Sequence, residues 1–332
     1  MSDRAPATPT DRHPRTASVH FVVCCRNNRD IIGDTLAAIA SQDIAHARCT
    51  VVDGRSSDGT VELVRERHPW VEVVVKDTDS GPADSRNIGA RASDTDFVVF
   101  VDSDVCLAPD WTRRQLALMA TDQHIGIACG KVVYADRPHT LNMAHGTLNR
   151  LGIAWDLGRD EPAEHHDHPA PALWCASAAI IVRRQLLVHA GDFDAEMFAY
   201  HEDTDLGWRA NLFGYRVMFN PGAIASHRAH ATMNVGTMGK RPVYLAWRNR
   251  LRSALVNYEL ASLARYVPLY LGLAALLSLG RGEFGLYLRG LGWNLRMLGD
   301  TLRRRRFVQH HRVHRDRQLW HLFDRRLRGV GR

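Results

Sequence analysis

This 332-residue sequence predicts an α/β fold, a parallel sheet covered by helices, followed by a helical piece. Three observations carry that expectation. Short Val-rich apolar runs alternate with segments of helical spacing, joined by short links, the pattern of repeated β-α-β units. Several of these runs end on acidic residues, at the edge where open α/β sheets bind ligands. From Arg241 onward the strand-like runs give way to helical spacing.

Val19 to Cys25 reads as the first buried strand. Asn27, Asn28 and Arg29 form a polar turn, and Asp30 is placed to cap a helix with Ile31, Ile32, Leu36 and Ile39 on its apolar face. Cys49 to Val52 is the second strand and ends at Asp53. Gly54 to Gly59 is a loop, and Thr60 opens the second helix. Val71 to Val75 is the third strand, and the helix from Asp84 to Arg91 leads into the run Phe97 to Val101. No Gly-x-Gly follows the first strand, and no Gly-x-x-x-x-Gly-Lys-Ser/Thr loop is present. A glycine-cradled nucleotide is therefore not expected, which counts against a dehydrogenase or a P-loop kinase.

Asp102-Ser103-Asp104 ends the run Phe97 to Val101. Carboxylates at the tip of a buried strand are costly unless a cation meets them. The cation is an Arg, a Lys or a divalent metal, and hard metals prefer carboxylate oxygen. A second acidic cluster follows at Glu202, Asp203 and Asp205, next to His201, at the start of a segment that reads as a helix ending at Gly214. First-turn acids suit the helix dipole, but capping explains only one or two of the three. A third polar tip, Ser226-His227-Arg228, ends another apolar segment. The acidic and His-rich stretch from Glu164 to His168 lies in a loop-rich region, 131–171, and reads as a solvated loop.

An apolar share of 45% and a charged share of 24% are those of a folded globular chain. The charge is uneven: residues 240–332 hold 20 Lys/Arg against 5 Asp/Glu, while the rest of the chain is net acidic. Pro268 to Gly280 is an apolar stretch of 13 residues, short of the roughly 20 that span a bilayer. With Arg281, Arg289, Arg296 and the run Arg303 to Arg306 around it, it suits a surface helix on an anionic membrane, or a packed helical subdomain with a solvated basic face. The six cysteines form no C-x-x-C pair and read as reduced, buried thiols. The polar segment from Met1 to Ala17 lacks an apolar leader core and reads as a disordered lead-in.

In order along the chain, Val22 to Asn28, Val51 to Thr60, Ser85 to Ala90, Asp102-Ser103-Asp104, Gly191 to Asp194, Glu202 to Arg209, Gly214-Tyr215 and His227 resemble the family 2 glycosyltransferases. The second half looks most like their rhamnosyl- and galactofuranosyl-transferase-like branch. The resemblance implies a GT-A type nucleotide-binding mixed sheet flanked by helices over 18–240, with residues 1–17 before it and a basic amphipathic helical extension over 241–332. It implies an inverting enzyme that moves a sugar from a nucleoside-diphosphate sugar to an acceptor hydroxyl. It also implies a nucleotide-sugar site at Cys25, Asn27, Asp53, Asp102 and Ser103, and an Mn²⁺ or Mg²⁺ ion held by Asp104, Asp102 and His227. Asp203 matches the general base and Glu202 its neighbour. Arg86 is expected to contact the diphosphate, since a guanidinium matches phosphate geometry; a helix-face salt bridge is the alternative. The departures are Gly54-Arg55 after Asp53, Cys24-Cys25 in the first strand, and Ser177 in the stretch facing the acceptor.

The expected setting is cytoplasmic, peripheral at the inner face of the membrane, with a lipid-linked glycan as one acceptor. Two other classes stay in view. The aromatics Trp293, Phe307 and Trp320 interleave with Arg as in a nucleic-acid stacking groove, but the acidic strand tips oppose a phosphate backbone, so no nucleic acid is expected. A sugar nucleotidyltransferase needs a glycine-rich signature loop after the first strand, and none is visible.

Overall fold

The computed structural model describes residues 17–45, 47–228 and 239–325. The first half alternates as expected: β1 (Val19–Cys25), α1 (Ile32–Ala40), β2 (Ala47–Asp53), α2 (Thr60–Arg67), β3 (Glu72–Val75), α3 (Gly81–Arg91) and β4 (Phe97–Asp102). β1 pairs in parallel with β2 and β4, and β2 with β3. The register sets Cys25 beside Asp53 and Cys24 beside Asp102, so three strands end at one edge. Val and Phe side chains from both faces of β1 and β4 are buried, which is why these runs are continuous rather than alternating.

The second half turns the sheet mixed. β5 (Val105–Leu107), α4 (Trp111–Thr121) and β6 (Ile125–Tyr134) are followed by four short strands, β7 (Leu141–Met143), β8 (His145–Leu148), β9 (Ala154–Leu157) and β10 (Ala170–Ala172). Then come β11 (Ala179–Arg183), α5 (Arg184–Ala190), α6 (Glu202–Leu212) and β12 (Arg216–His227). Along the sheet the order is β10-β12-β6-β11-β4-β1-β2-β3. β11 runs antiparallel to both β4 and β6, and β12 lies parallel to β6. β5 pairs with the far end of β12, bringing His227 opposite Val105. This mixed sheet flanked by helices is the architecture the resemblance implied.

Among the described residues, four helices follow, α7 (Arg241–Asn257), α8 (Leu260–Gly280), α9 (Phe284–Arg296) and α10 (Leu298–His311), then the short turns α11 (Asp316–Leu319) and Trp320–Leu322. Trp208 of α6 is fully buried, edge-on to Tyr258 and Phe323. Several of the basic residues turn inward. Arg252 is completely buried between Asp194 and Asp300, and Arg305 donates to the carbonyls of Leu255 and Tyr258.

Several local expectations are corrected. Asp30 caps nothing: the residue before α1 is Ile31, and no side chain caps the helix. The segment 131–171 is loop-rich as read, but it also carries the end of β6 and the short strands β7 to β9 and leads into β10. Cys129 and Cys175 form a disulfide with Cα atoms 6.0 Å apart, so that pair is not two reduced thiols; Cys24 and Cys106 are half-exposed rather than buried. The two bridged cysteines stand 46 residues apart, one in β6 and the other in the stretch between β10 and β11. The apolar helix α8 has 21 residues, not 13, because Pro268 sits inside it rather than at its start. With a mean hydropathy of 1.6 it is long and apolar enough to cross a membrane, so the expectation that it is too short fails. Only one stripe of α8, Tyr270, Ala274 and Ser278, is buried, while Leu260, Leu269, Leu276 and Leu279 are exposed. Of the lead-in over 1–17, all but Ala17 lies outside the described residues.

Candidate active site

The shared edge of β1, β2 and β4 is built from loops that tie to one another. Asn27, at φ 54°, donates its backbone N–H to Ser56 Oγ (2.8 Å), and its side-chain oxygen accepts from the Ser57 N–H at 2.9 Å. Asp53 is fully buried. It accepts from the Ser56 N–H at 2.8 Å, from Ser56 Oγ at 2.5 Å and from the Cys25 thiol at 3.3 Å. Burial and the neighbouring Asp53 push the Cys25 thiol well above its ordinary pKa, so it is a neutral donor there. Ser103 is buried as well: its hydroxyl donates to Asn28 Oδ1 and its carbonyl accepts from Thr35 Oγ1, both at 2.9 Å. Cys25, Asn27, Asp53 and Ser103 thus hold the shape of this edge with their own polar groups.

The two carboxylates of the strand-end pair face different partners. Asp102 accepts from Arg86 NH2 at 2.8 Å. Asp104 is buried, with its Oδ1 at 3.4 Å from His227 Nε2. The pairing of β5 with β12 makes that approach possible, because His227 ends β12 next to the residue after Asp104. His227 Nδ1 lies 3.0 Å from Asn142 Oδ1. An N–H on Nδ1 donating to that oxygen leaves the Nε2 lone pair for a metal, the usual arrangement of a ligating histidine. Burial lowers the His227 pKa, but the hydrogen bond and charge of Asp104 outweigh it and hold the group above its ordinary value. Among the described residues no three His, Cys, Asp or Glu side chains converge to hold a metal ion. Asp102, Asp104 and His227 are therefore not a ready-made cage. A carboxylate and an imidazole nevertheless fit Mn²⁺ or Mg²⁺, ions that complete their shells with substrate phosphate and water.

Arg86 is buried in α3 and reaches two elements at once. Its second nitrogen, NH1, donates to Glu202 Oε1 at 2.9 Å. It is neither a helix-face pair nor an uncommitted phosphate ligand, since both ends of its guanidinium already hold carboxylates from β4 and α6. The other Glu202 oxygen is buried without a hydrogen-bond partner. Burial, the largest influence, raises the Glu202 pKa in spite of Arg86.

The three acids of α6 divide sharply. Asp205 is buried and turned away from the site, bonded to Arg209 at 2.8 Å, Asn257 at 2.7 Å and Ser253 at 3.1 Å. Glu202 is clasped by Arg86. Asp203 is half-buried and held by backbone groups: its Oδ1 accepts from the Thr204 N–H at 2.7 Å, and its Oδ2 from the Ser177 N–H at 3.4 Å. Burial and then the Glu202 charge push its pKa up to about 7, against the pull of Arg86 and the two N–H groups. A carboxylate poised near neutrality can accept a proton from a hydroxyl and release it again. Sequence reasoning missed the Ser177 amide as a group that touches Asp203; a backbone donor leaves no side-chain signal. The stretch from Glu164 to His168 lies apart, with His166 on Glu161 and Asp167 on Lys131.

Residues 20–184 match the family described as glycosyl transferase family 2. A pre-mycofactocin glycosyltransferase from Mycobacterium tuberculosis is 29% identical over 230 residues, covering 66% of this chain and 45% of the relative. The chain thus spans about half the length of the curated relatives it matches. Among solved structures, GalNAc-T7 with UDP, GalNAc and Mn²⁺ aligns with a TM-score of 0.56 at 15% identity, over 72% of this chain and 48% of the other. The mannosyltransferase PcManGT from Pyrobaculum calidifontis, in complex with GDP-Man and Mn²⁺, aligns with a TM-score of 0.51 at 18% identity, over 96% and 92%. At these identities the structural likeness speaks for the fold.

Removing Arg86 tests its bridging role. Arg86→Ala leaves Glu202 and Asp102 facing each other without a cation, and breaking a buried pair in this way costs about 3–5 kcal/mol. Urea unfolding at pH 7 should show that loss. The difference from the native chain should shrink as pH falls and Glu202, whose pKa is raised, becomes neutral. Equal stability at pH 7 would refute the bridge.

Proposed function

The chain belongs to glycosyl transferase family 2, and from that premise we propose that it is a glycosyltransferase that moves a sugar from a nucleoside-diphosphate sugar to an acceptor hydroxyl with inversion at the anomeric carbon. The observation that carries this reading is Asp203, half-buried, backbone-held and poised near pH 7 beside a buried, Arg-clasped Glu202. Asp203 accepts the proton of the acceptor hydroxyl as the oxygen attacks the face opposite the diphosphate. General-base help of this kind is worth about 10²–10⁴-fold. Glu202, fixed by Arg86, raises the basicity of Asp203 by like charge. Asp104 and His227 would hold the divalent ion, oriented by Asn142. Such an ion, when bound, neutralises the negative charge that develops on the departing diphosphate. Cys25, Asn27, Asp53, Asp102 and Ser103 shape the edge where the nucleotide is proposed to lie. Solved neighbours of the same fold carry UDP with Mn²⁺ or GDP-Man with Mn²⁺, which supports a nucleotide-sugar donor and a divalent ion here.

A position at the cytoplasmic membrane face, with a lipid-linked acceptor, is supported by the exposed surface of α8 to α10. Leu269, Leu276, Leu279, Leu288, Leu295 and Leu302 are exposed there, together with Arg265, Arg281, Arg289, Arg296 and Arg303. Apolar side chains entering the headgroup layer beside arginines on lipid phosphate account for both sets.

Four experiments bear on these readings. Incubation with Mn²⁺ and a panel of UDP-, dTDP- and GDP-sugars, followed by release of nucleoside diphosphate, should single out a donor. With that donor, Asp203→Asn should bind normally by calorimetry yet turn over at least about 10²-fold more slowly. The native rate should rise with pH and level off above about 7, because the base acts only when ionised; a normal rate for the variant would place the base elsewhere. His227→Ala should lose more activity with Mn²⁺ than with Mg²⁺, since imidazole suits the softer ion better. It should also lose the Mn²⁺-dependent part of the thermal shift given by UDP, whereas an unchanged metal dependence would remove His227 from the site. Finally, vesicle sedimentation should show binding to anionic but not neutral lipid, weakened by salt, with each arginine at the surface worth about 1 kcal/mol. Indifference to anionic vesicles at low salt would make the C-terminal helices a purely packed subdomain.

A further inference from the structure

Three residues just before the proposed base stand in a backbone region that side chains rarely enter. Phe198 (φ 65°), Tyr200 (φ 65°) and His201 (φ 75°) all have positive φ, and none is glycine. Each such residue costs roughly 1–2 kcal/mol and persists only where its surroundings over-determine it. His201 is also the residue from which α6 starts, with no side-chain cap. The path of this segment therefore decides where Glu202 and Asp203 point.

What over-determines it comes largely from α7. Asn249 is fully buried, and its side-chain amide donates to three carbonyls, those of Met197 (2.9 Å), Ala199 (3.0 Å) and Tyr200 (2.7 Å). Arg248 donates to the carbonyls of Glu196 (2.9 Å) and Met197 (3.0 Å), and its Nε donates to Asn249 Oδ1 at 3.0 Å, which orients the amide. One turn further on, Arg252 pairs with Asp194, whose carboxylate accepts from the Glu196 N–H. The remaining carbonyl, of Phe198, accepts from the Ala83 N–H at the start of α3. It lies so close to Gly81 that a Cβ there would come within 2.6 Å of it. Every carbonyl from Glu196 to Tyr200 is thus held, most of them by two adjacent α7 residues.

We propose that Asn249, oriented by Arg248, is a positioning residue for the transfer reaction: it locks the segment Phe198–His201, in which Phe198, Tyr200 and His201 have positive φ, and so fixes Asp203 against the acceptor. The proposal rests on the reading of Asp203 as the base. It gives α7 a part in catalysis without touching substrate. A helix in the basic C-terminal region would then set the geometry of the acceptor side, while the donor side is built by β1, β2 and β4.

The full chain is assayed as release of nucleoside diphosphate from the best donor of the UDP-, dTDP- and GDP-sugar panel with Mn²⁺. Asn249→Ala should lower kcat about 10²-fold, the usual effect of a misplaced catalytic group, with donor KM changed by no more than about twofold, as donor contacts lie elsewhere. Its pH–rate profile should move to lower pH, because an Asp203 released toward water loses the burial that raises its pKa. Adding His201→Gly to Asn249→Ala should recover part of kcat, about tenfold, since glycine holds a positive φ without strain. Asn249→Asp keeps the size and the bond from Arg248 but has no donors. It should show the same loss of kcat and serves where Asn249→Ala does not fold. An unchanged kcat in either folded variant overturns the proposal. So does a loss of kcat with an unmoved pH profile and no recovery by His201→Gly, the pattern of a merely structural residue. Asp203→Asn run in parallel separates the two readings. If it is fully active, the base assignment fails; if it is dead while Asn249→Ala is normal, only the positioning proposal fails.

Discussion

The bridge from Arg86 to Asp102 and Glu202 is the interaction on which the site depends. It joins three elements that share no sequence neighbourhood: helix α3, the end of β4 and the start of α6. Buried carboxylates are costly unless a cation meets them, and here one guanidinium serves two at once through its forked geometry. The proposed donor edge, at the end of β4, and the proposed acceptor side, at the start of α6, are thereby held in fixed relation. A lysine, with one point charge, would have to choose between them.

That bridge also sorts the acids of α6 into different chemistry. Asp205 is neutralised by Arg209 and two side chains of α7, so it is a structural anchor. Glu202 takes the remaining end of Arg86. Asp203, between them in sequence, meets no cation directly, only the Thr204 and Ser177 N–H groups and the Thr204 hydroxyl, and sits beside a buried like charge, so its affinity for a proton rises. Three carboxylates within four residues thus differ because of what each one meets across the fold, the same principle by which paired acids elsewhere separate into acid and base.

The C-terminal helices look from composition like a basic appendage, and in part they are. Arg265, Arg281, Arg289, Arg296 and Arg303 are exposed among exposed leucines. Other arginines in the same region are structural. Arg252 is buried against Asp194 and Asp300, Arg248 and Arg305 hold backbone carbonyls, and Arg312 pairs with Asp316. Net charge counted along the chain therefore overstates the charge presented to a partner. The inward arginines tie α7 and α10 to the segment that leads into α6.

The first half of the sheet is legible in the amino-acid order: β1 and β4 are apolar runs that begin and end where the pattern does, and β2 and β3 carry shorter Val-rich runs. The motif resemblance read from that order grouped Asp102, Asp104, Glu202, Asp203 and His227 into one proposed site. Sequence alone did not decide which acid does what. Arg86 meets Glu202 across 116 residues, and Asp104 meets His227 through the β5–β12 pairing. The Cys129–Cys175 bridge, the true length of α8 around Pro268 and the grip of Asn249 on backbone carbonyls were equally invisible. Local pattern records what is buried, because burial repeats with the period of a strand or helix. Partnership between distant side chains has no period, so only the tertiary structure could assign it.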